Sequence, residues 1–324
     1  MIPVSIITGF LGSGKTTLLN HLVRRPGMAD TAVIVNEFGE IGIDHLLIEQ
    51  AFEDTVLLEN GCICCSIRGD LVDTLTDLLR RVEAGALPPF ARAVVETTGL
   101  ADPAPILQTL ISDRRLQRDF DLNRIVTTVD AVNAPGQLDE FEEPVKQVAV
   151  ADCLLITKAD LADRKRVAAL ECRLRGLNAG APIAVVAHGR ADPDILFGPV
   201  SGGRDIDRWP DHRHSHGHDA DSGIASFALV LDDPLPWPAV RAWLETVASL
   251  RGTDLLRVKG VLNVAGRDGP VVVHGVQHVF HTPVELLEWP DAARTSRIVF
   301  IVRNMERFAL ENALAAFVAR ESAA

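Results

Sequence analysis

Two short stretches hold the residue types that can do chemistry. In "GFLGSGKTT", residues 9–17, Gly9, Gly14, Lys15 and Thr16 fall at the spacing of a phosphate-binding loop. Its glycines let backbone N–H groups close around phosphate oxygens, and the N-terminus of the helix that follows adds the positive end of its dipole. Lys15 would bridge the β- and γ-phosphates, and the Thr16 hydroxyl would ligate Mg²⁺. In "ENGCICCSIRGDL", residues 59–71, Cys62, Cys64 and Cys65 are three of the five cysteines in the chain. Neighbouring Cys64 and Cys65 would close a strained disulfide ring. A helix N-terminus and nearby Arg68 favour thiolates, and thiolates on a loop running into a helix can converge on a borderline-soft ion such as Zn²⁺. Local spacing supplies at most three ligands, and a fourth must come from elsewhere. Such an incomplete site suits transfer better than permanent structure.

A phosphate loop needs a second carboxylate and a γ-phosphate sensor at the end of a neighbouring strand. "AVVETTGLADP" offers Glu96 as the acid and Gly99, whose N–H could face the γ-phosphate. "LLITKADL" addresses the base. Asp160 can accept the ring N–H and exocyclic amine of guanine, where adenine would present a lone pair, and the Lys158 stem can cover the base face. Nucleotide-binding proteins with this motif usually carry Asn at its first position, which here is Thr157. "DHRHSHGHDAD" places His212, His214, His216 and His218 on alternate positions, a pattern that can gather loosely held metal ions or simply decorate a solvated linker. Cys153 and Cys172 read as apolar packing, and His274, His278 and His281 as packing or surface residues.

Alternating apolar strands and helices must position these groups. Strands are expected at 4–8, 31–36, 91–96, 124–130, 153–157 and 182–187. Helices are expected after Lys15 and after Asp70, the latter with Leu71, Leu75, Leu78, Leu79 and Val82 on one face. The pattern implies an α/β fold, a doubly wound, mostly parallel phosphate-loop sheet, over residues 1–188. Residues 189–222, rich in His, Asp and Gly, read as a linker. Residues 223–324 read as a smaller α+β domain, with Val240, Trp243, Leu244, Val247 and Leu250 forming one helical stripe.

Bulk properties narrow the partners. The 32 basic residues against 44 acidic ones leave a net charge of −12 and no basic patch, which argues against a nucleic-acid surface. No apolar run reaches the roughly 18 residues of a membrane helix. The first residues read as a buried strand and not a signal peptide. An odd number of cysteines without a secretory context points to reduced thiols in a cytoplasm.

Taken in order, "GFLGSGKTTLLN", "NEFGEIGID", "GCICCSIRGDL", "ETTGLADP", "TKAD" and the later "LLRVKGVL" resemble the CobW family of phosphate-loop GTPases over nearly the whole chain. The resemblance implies slow GTP hydrolysis coupled to delivery of zinc or cobalt (Zn²⁺ or Co²⁺) to a client metalloprotein or metal-insertion complex. It assigns the nucleotide loop to Gly12, Ser13, Gly14, Lys15, Thr16 and Thr17, guanine recognition to Lys158 and Asp160, and the metal to Cys62, Cys64 and Cys65. His-rich tracts recur in the family.

The segment "NEFGEIGIDHLLIEQ" follows the second strand and would be the switch beside the γ-phosphate. It brings Glu37, Glu40 and Asp44, any of which could reach Mg²⁺ or complete the thiolate site. Three other readings stay open: a small-molecule kinase with a structural zinc site, a nucleotide-responsive metal buffer, and a cysteine redox switch. The oligomeric state is open too.

Overall fold

A computed structural model describes residues 1–35, 56–57, 63–66, 71–187, 190–198, 217–219, 223–289 and 294–322. The chain forms two compact units. The first comprises Met1–Gln147, Ala151–Leu170 and Ile183–Val200; the second comprises Val148–Val150, Glu171–Pro182 and Ser201–Ala324.

In the first unit, β1 (Ile2–Gly9) leads into α1 (Lys15–Leu22), and β2 (Thr31–Val35), β3 (Val56–Leu57) and β4 (Ile63–Ser66) follow. Next come α2 (Leu71–Glu83), β5 (Arg92–Glu96), α3 (Ala104–Ser112) and β6 (Phe120–Asp130). Then follow α4 (Ala134–Glu140), α5 (Glu142–Ala149), β7 (Cys153–Thr157), α6 (Arg164–Leu177), β8 (Ile183–Val185) and α7 (Asp194–Phe197), with α5 after Gln147 and α6 after Leu170 counted in the second unit. The described strands make one sheet in the order β3-β4-β2-β5-β1-β6-β7-β8. All of its pairings are parallel except β3 with β4.

Strands buried on both faces need apolar residues throughout, and β1, β2, β5 and β7 meet that demand with Ile6, Ile7, Val33, Ile34, Val94, Val95, Leu154 and Leu155, all fully buried. Leu18 and Leu22 of α1 sink into the same core. On one side of β1 the strands follow in chain order, β6-β7-β8, and on the other they run β5-β2-β4-β3. The crevice beyond the carboxyl ends of such a sheet is where ligands bind.

The second unit contains β9 (Gly217–Asp219), β10 (Ile224–Leu231), α8 (Trp237–Arg251), β11 (Leu255–Leu262), β12 (Val271–Val276), β13 (Val279–Phe280), β14 (Val284–Glu285), β15 (Ser296–Arg303) and α9 (Arg307–Ser322). Its sheet has the order β13-β12-β11-β15-β10-β9, with β14 beside β12, and every pairing is antiparallel. Trp243 of α8 and Phe300 of β15 are fully buried and meet edge to face at 5.6 Å.

The α/β architecture with a second, smaller α+β unit is as the sequence implies. Four local expectations change. The stretch read as linker is built at both ends: Leu196 of α7 is fully buried in the first unit, and β9 pairs with β10 in the second. Both segments lack a period because each is too short to show one. Leu250, placed on the α8 stripe, lies in the last turn and is 75% exposed. Cys172, in α6, is exposed where apolar packing was expected for it. Ile63–Ser66, read as loop, forms a strand. Isoleucine and small cysteines suit an extended strand, and β2 and β3 supply the partners.

Candidate functional site

The phosphate loop joins the end of β1 to the start of α1. Gly9 occupies φ +144°, and a Cβ there would stand 2.3 Å from Thr128 Oγ1 and 2.4 Å from the Thr128 carbonyl. Only glycine lets the loop leave β1 this close to β6. Gly12 lies exposed on the loop, and Gly14, left-handed, is the N-cap of α1. The Ser13 hydroxyl is buried and 2.7 Å from Thr128 Oγ1. The Lys15 ammonium donates to the carbonyls of Gly9 (2.8 Å) and Phe10 (3.2 Å), so it is folded into the loop it serves. Thr17 is exposed.

Thr16 Oγ1 donates to Glu96 Oε1 at 2.9 Å. Glu96 is 4% exposed and ends β5, directly beside β1 in the sheet. A hydroxyl from the start of α1 and a carboxylate from the end of β5, brought together, are hard oxygen donors. They fit Mg²⁺, which takes one or two protein oxygens and keeps several waters.

The turn after β5 closes on this loop. The Thr97 backbone N–H donates to the Ile7 carbonyl at 2.9 Å, and its hydroxyl donates to Thr8 Oγ1 at 2.8 Å. Gly99 is buried so tightly that an added Cβ would stand 2.7 Å from the Leu11 backbone nitrogen and 2.8 Å from its Cα. Gly99 and the phosphate loop are thus in direct contact, as a sensor of loop contents requires.

At the other side of β1, Lys158 and Asp160, expected from the sequence to meet the base, follow β7. Lys158 adopts a left-handed backbone (φ +54°), and Asp160 lies exposed in the 3-10 turn Ala159–Leu161. Thr157 is tied to the loop directly: its buried hydroxyl donates to the Ser13 carbonyl at 2.6 Å. The threonine that departs from the usual asparagine therefore joins the end of β7 to the phosphate loop.

Sequence reasoning missed Asp130. It ends β6, is 1% exposed and accepts from Lys158 Nζ (2.8 Å), Asn133 Nδ2 (2.9 Å), and the backbone N–H groups of Val132 (2.7 Å) and Asn133 (3.2 Å). Burial pushes its carboxyl up. The bonds from Lys158, Asn133 and the two backbone N–H groups outweigh that and hold it below the ordinary carboxylate value. The available signal was the pattern of Glu96 repeated: "TTVD", like "AVVE", is an apolar strand ended by an acid.

The backbone of Cys64 and Cys65 lies on β4, opposite Val33 and Ile34 of β2. Val33 and Ile34 in turn face Val94 and Val95 of β5. The cysteine pair thus stands one to two residues short of the Glu96 level and two strands away, about 10 Å at ordinary strand spacing. Cys62, Glu37, Glu40, Asp44, His212, His214 and His216 lie outside the described residues, and His218 is described only as backbone, paired with Ala225. No group of three metal-ligating side chains occurs among the described residues.

Comparison with known proteins agrees with this geometry. The sequence model of the CobW/HypB/UreG nucleotide-binding domain matches residues 3–185, and that of the cobalamin synthesis protein cobW C-terminal domain matches residues 224–318. The chain is 37% identical over 303 residues to the zinc chaperone YjiA of Escherichia coli, covering 93% of each protein. It is 30% identical to the zinc chaperone CobW of Pseudomonas aeruginosa, over 97% of this chain and 90% of that one. The crystal structure of Zn(II)-bound YjiA GTPase from E. coli superposes with a TM-score of 0.79 at 34% identity, covering 98% of both chains.

Proposed function

This chain belongs to the CobW/HypB/UreG family, with a CobW C-terminal domain, and from that premise we propose that it is a GTP-hydrolysing metallochaperone. It binds zinc or cobalt through Cys62, Cys64 and Cys65 and passes the ion to a client metalloprotein in the cytoplasm. GTP sits with its triphosphate in the Gly12–Thr17 loop and its base against Lys158 and Asp160. Thr16 and Glu96 would hold Mg²⁺, which would supply charge neutralisation to the triphosphate. Lys15 exchanges the Gly9 and Phe10 carbonyls for phosphate oxygens. Water attacks the γ-phosphorus, the bond to the β–γ bridging oxygen breaks, and GDP and phosphate leave.

The observation that carries the coupling is the strand order. β2 lies between the cysteine strand and the Glu96 strand, and the sequence leaving β2 is "NEFGEIGID". A segment ordered by the γ-phosphate at that strand end would bear on the thiolates as well. GTP then tightens metal and metal tightens GTP by the same factor. No helix among the described residues is long and apolar enough to cross a membrane.

The test is a Co²⁺ titration followed by thiolate-to-metal absorption, with and without Mg²⁺ and a non-hydrolysable GTP analogue. Tighter binding with the analogue, lost in Cys64→Ser/Cys65→Ser, is expected. Equal affinities for empty, GDP-loaded and analogue-loaded protein would remove the delivery role. GTP turnover lost in Lys15→Ala separates this reading from a metal buffer.

A further inference from the structure

The Gly99–Ala101 turn touches the phosphate loop through Gly99 and is also held by α5. Gln147, in the last turn of that helix, is fully buried. Its Nε2 donates to the Gly99 carbonyl at 3.1 Å and to the Ala101 carbonyl at 3.0 Å, the two carbonyls that flank Leu100. The Gln147 backbone carbonyl accepts from Thr127 Oγ1 at 2.8 Å, which fixes this end of the helix to β6. The preceding residue, Lys146, lies 3.4 Å from Asp102 Oδ2, and Asp102 Oδ1 accepts the Ala104 N–H at the start of α3. Consecutive residues of α5 therefore hold the turn and the helix start that follows it.

A buried amide is an expensive way to fill space. An aliphatic side chain of the same length would occupy the volume without desolvation, so the amide's cost is offset only by the bonds it makes. Here both donated bonds go to one turn. The Oε1 atom is buried and has no hydrogen-bond partner among the described residues. The latched arrangement thus forfeits one bond, which an N–H of a rearranged turn could restore. Two arrangements that trade bonds in this way lie close in free energy, and a ligand of modest differential affinity can switch between them.

We propose that Gln147 is a positioning residue for the γ-phosphate sensor: its amide latches the Gly99–Ala101 turn against the phosphate loop and so sets how strongly the protein favours GTP over GDP. The proposal rests on the GTPase reading above. Gln147 touches no substrate and acts through Gly99. GDP, lacking the γ-phosphate, does not engage the turn.

The experiment uses the full chain carrying Gln147→Met, which keeps the volume and removes both donors. Titrations with fluorescent GDP and with a non-hydrolysable GTP analogue are compared with wild type. GDP affinity should stay within about twofold, while analogue affinity and kcat each change about tenfold or more, the scale of one or two hydrogen bonds. A role confined to packing would alter both nucleotides by one common factor, and that result, or no change in either, overturns the proposal. If Gln147→Met does not fold, Gln147→Glu serves. Its carboxylate would face two carbonyls at pH 8, and its buried acid form regains one donor as pH falls. Analogue affinity relative to GDP should then move toward the wild-type ratio between pH 8 and pH 6, and a flat ratio overturns the latch. In wild type, the Gln147 side-chain amide resonances should differ between the GDP and analogue complexes; identical resonances overturn it as well. Failure of wild type to bind guanine nucleotides at all would overturn the GTPase reading and the latch with it, and the GDP titration alone registers that outcome.

Discussion

Replacing Asp130 should separate base recognition from mere stability. The carboxylate is 1% exposed and accepts four hydrogen bonds, one of them from the Lys158 ammonium at 2.8 Å. Alanine would leave two backbone N–H groups and the Asn133 amide without their acceptor, each about 1 kcal/mol. A fully buried ion pair broken on one side costs about 3–5 kcal/mol. The Lys158 side chain, however, is 36% exposed and can be rehydrated, which reduces that contribution to about 1 kcal/mol. The sum is roughly 4 kcal/mol for Asp130→Ala. Asp130→Asn, which can still accept from the backbone N–H groups, should lose about 1–2 kcal/mol and is the variant to study in solution.

On the proposed reading, Lys158, freed from its anchor, would no longer hold its stem over the base. GDP and GTP-analogue affinities should therefore fall by one common factor of about ten. Urea unfolding and nucleotide titration of Asp130→Asn check both halves. Because the folded-state carboxyl lies below the ordinary value of 3.8, its stabilisation is fully present above that value and is lost as pH falls through the depressed one. The stability deficit of Asp130→Asn should accordingly persist at neutral pH and shrink below about pH 4. A clear unfolding deficit with unchanged GDP affinity would refute the link between Asp130 and the base.

Two further substitutions test the loop itself. Thr157→Val removes the buried bond to the Ser13 carbonyl while keeping shape. It should cost about 1 kcal/mol and weaken GDP and GTP analogue together in equilibrium titrations. Gly99→Ala places a Cβ 2.7 Å from the Leu11 backbone nitrogen, and backbone atoms cannot yield cheaply. A displacement costing about 1–3 kcal/mol should slow GTP turnover about tenfold or more and spare GDP binding, measured by phosphate release and by GDP titration.

The parts of this site that were legible in the sequence are those whose requirements are local. A strand ending in glycine, a loop of fixed length and a Lys-Thr helix start must occur in consecutive residues, and "GFLGSGKTT" declares all of them at once. Apolar runs such as "AVVE" and "CLLIT" likewise announce buried parallel strands. What the sequence hid depends on partners far along the chain. Asp130 meets Lys158 across 28 residues, and Gln147 meets Gly99 across 48. Neither pair exists until β6 lies against both β1 and β7. Ile63–Ser66 read as loop because glycine and asparagine precede it. The extended form depends on the free edge of β2, and no local propensity reveals it. Thr157 looked like a defect of the base-recognition motif, and its bond to Ser13, 144 residues away, is what gives it a role.

The strand order also constrains which end of the nucleotide can address the thiols. From β4, the Glu96 strand is two positions away and the Lys158 strand five, in the sequence β4-β2-β5-β1-β6-β7. At ordinary strand spacing these are about 10 and about 24 Å. On the proposed reading, Thr157 and Asp130 stabilise the far end, where GDP and GTP are identical, so they add affinity and carry no information about hydrolysis. On the same reading, Gly99, Glu96 and Gln147 act at the near end, where the two nucleotides differ. On the proposed reading, a change in metal affinity between the GTP and GDP states must therefore pass through β5 and β2. Perturbing the base contacts should shift the nucleotide concentration needed without altering the ratio of metal affinities once the site is saturated.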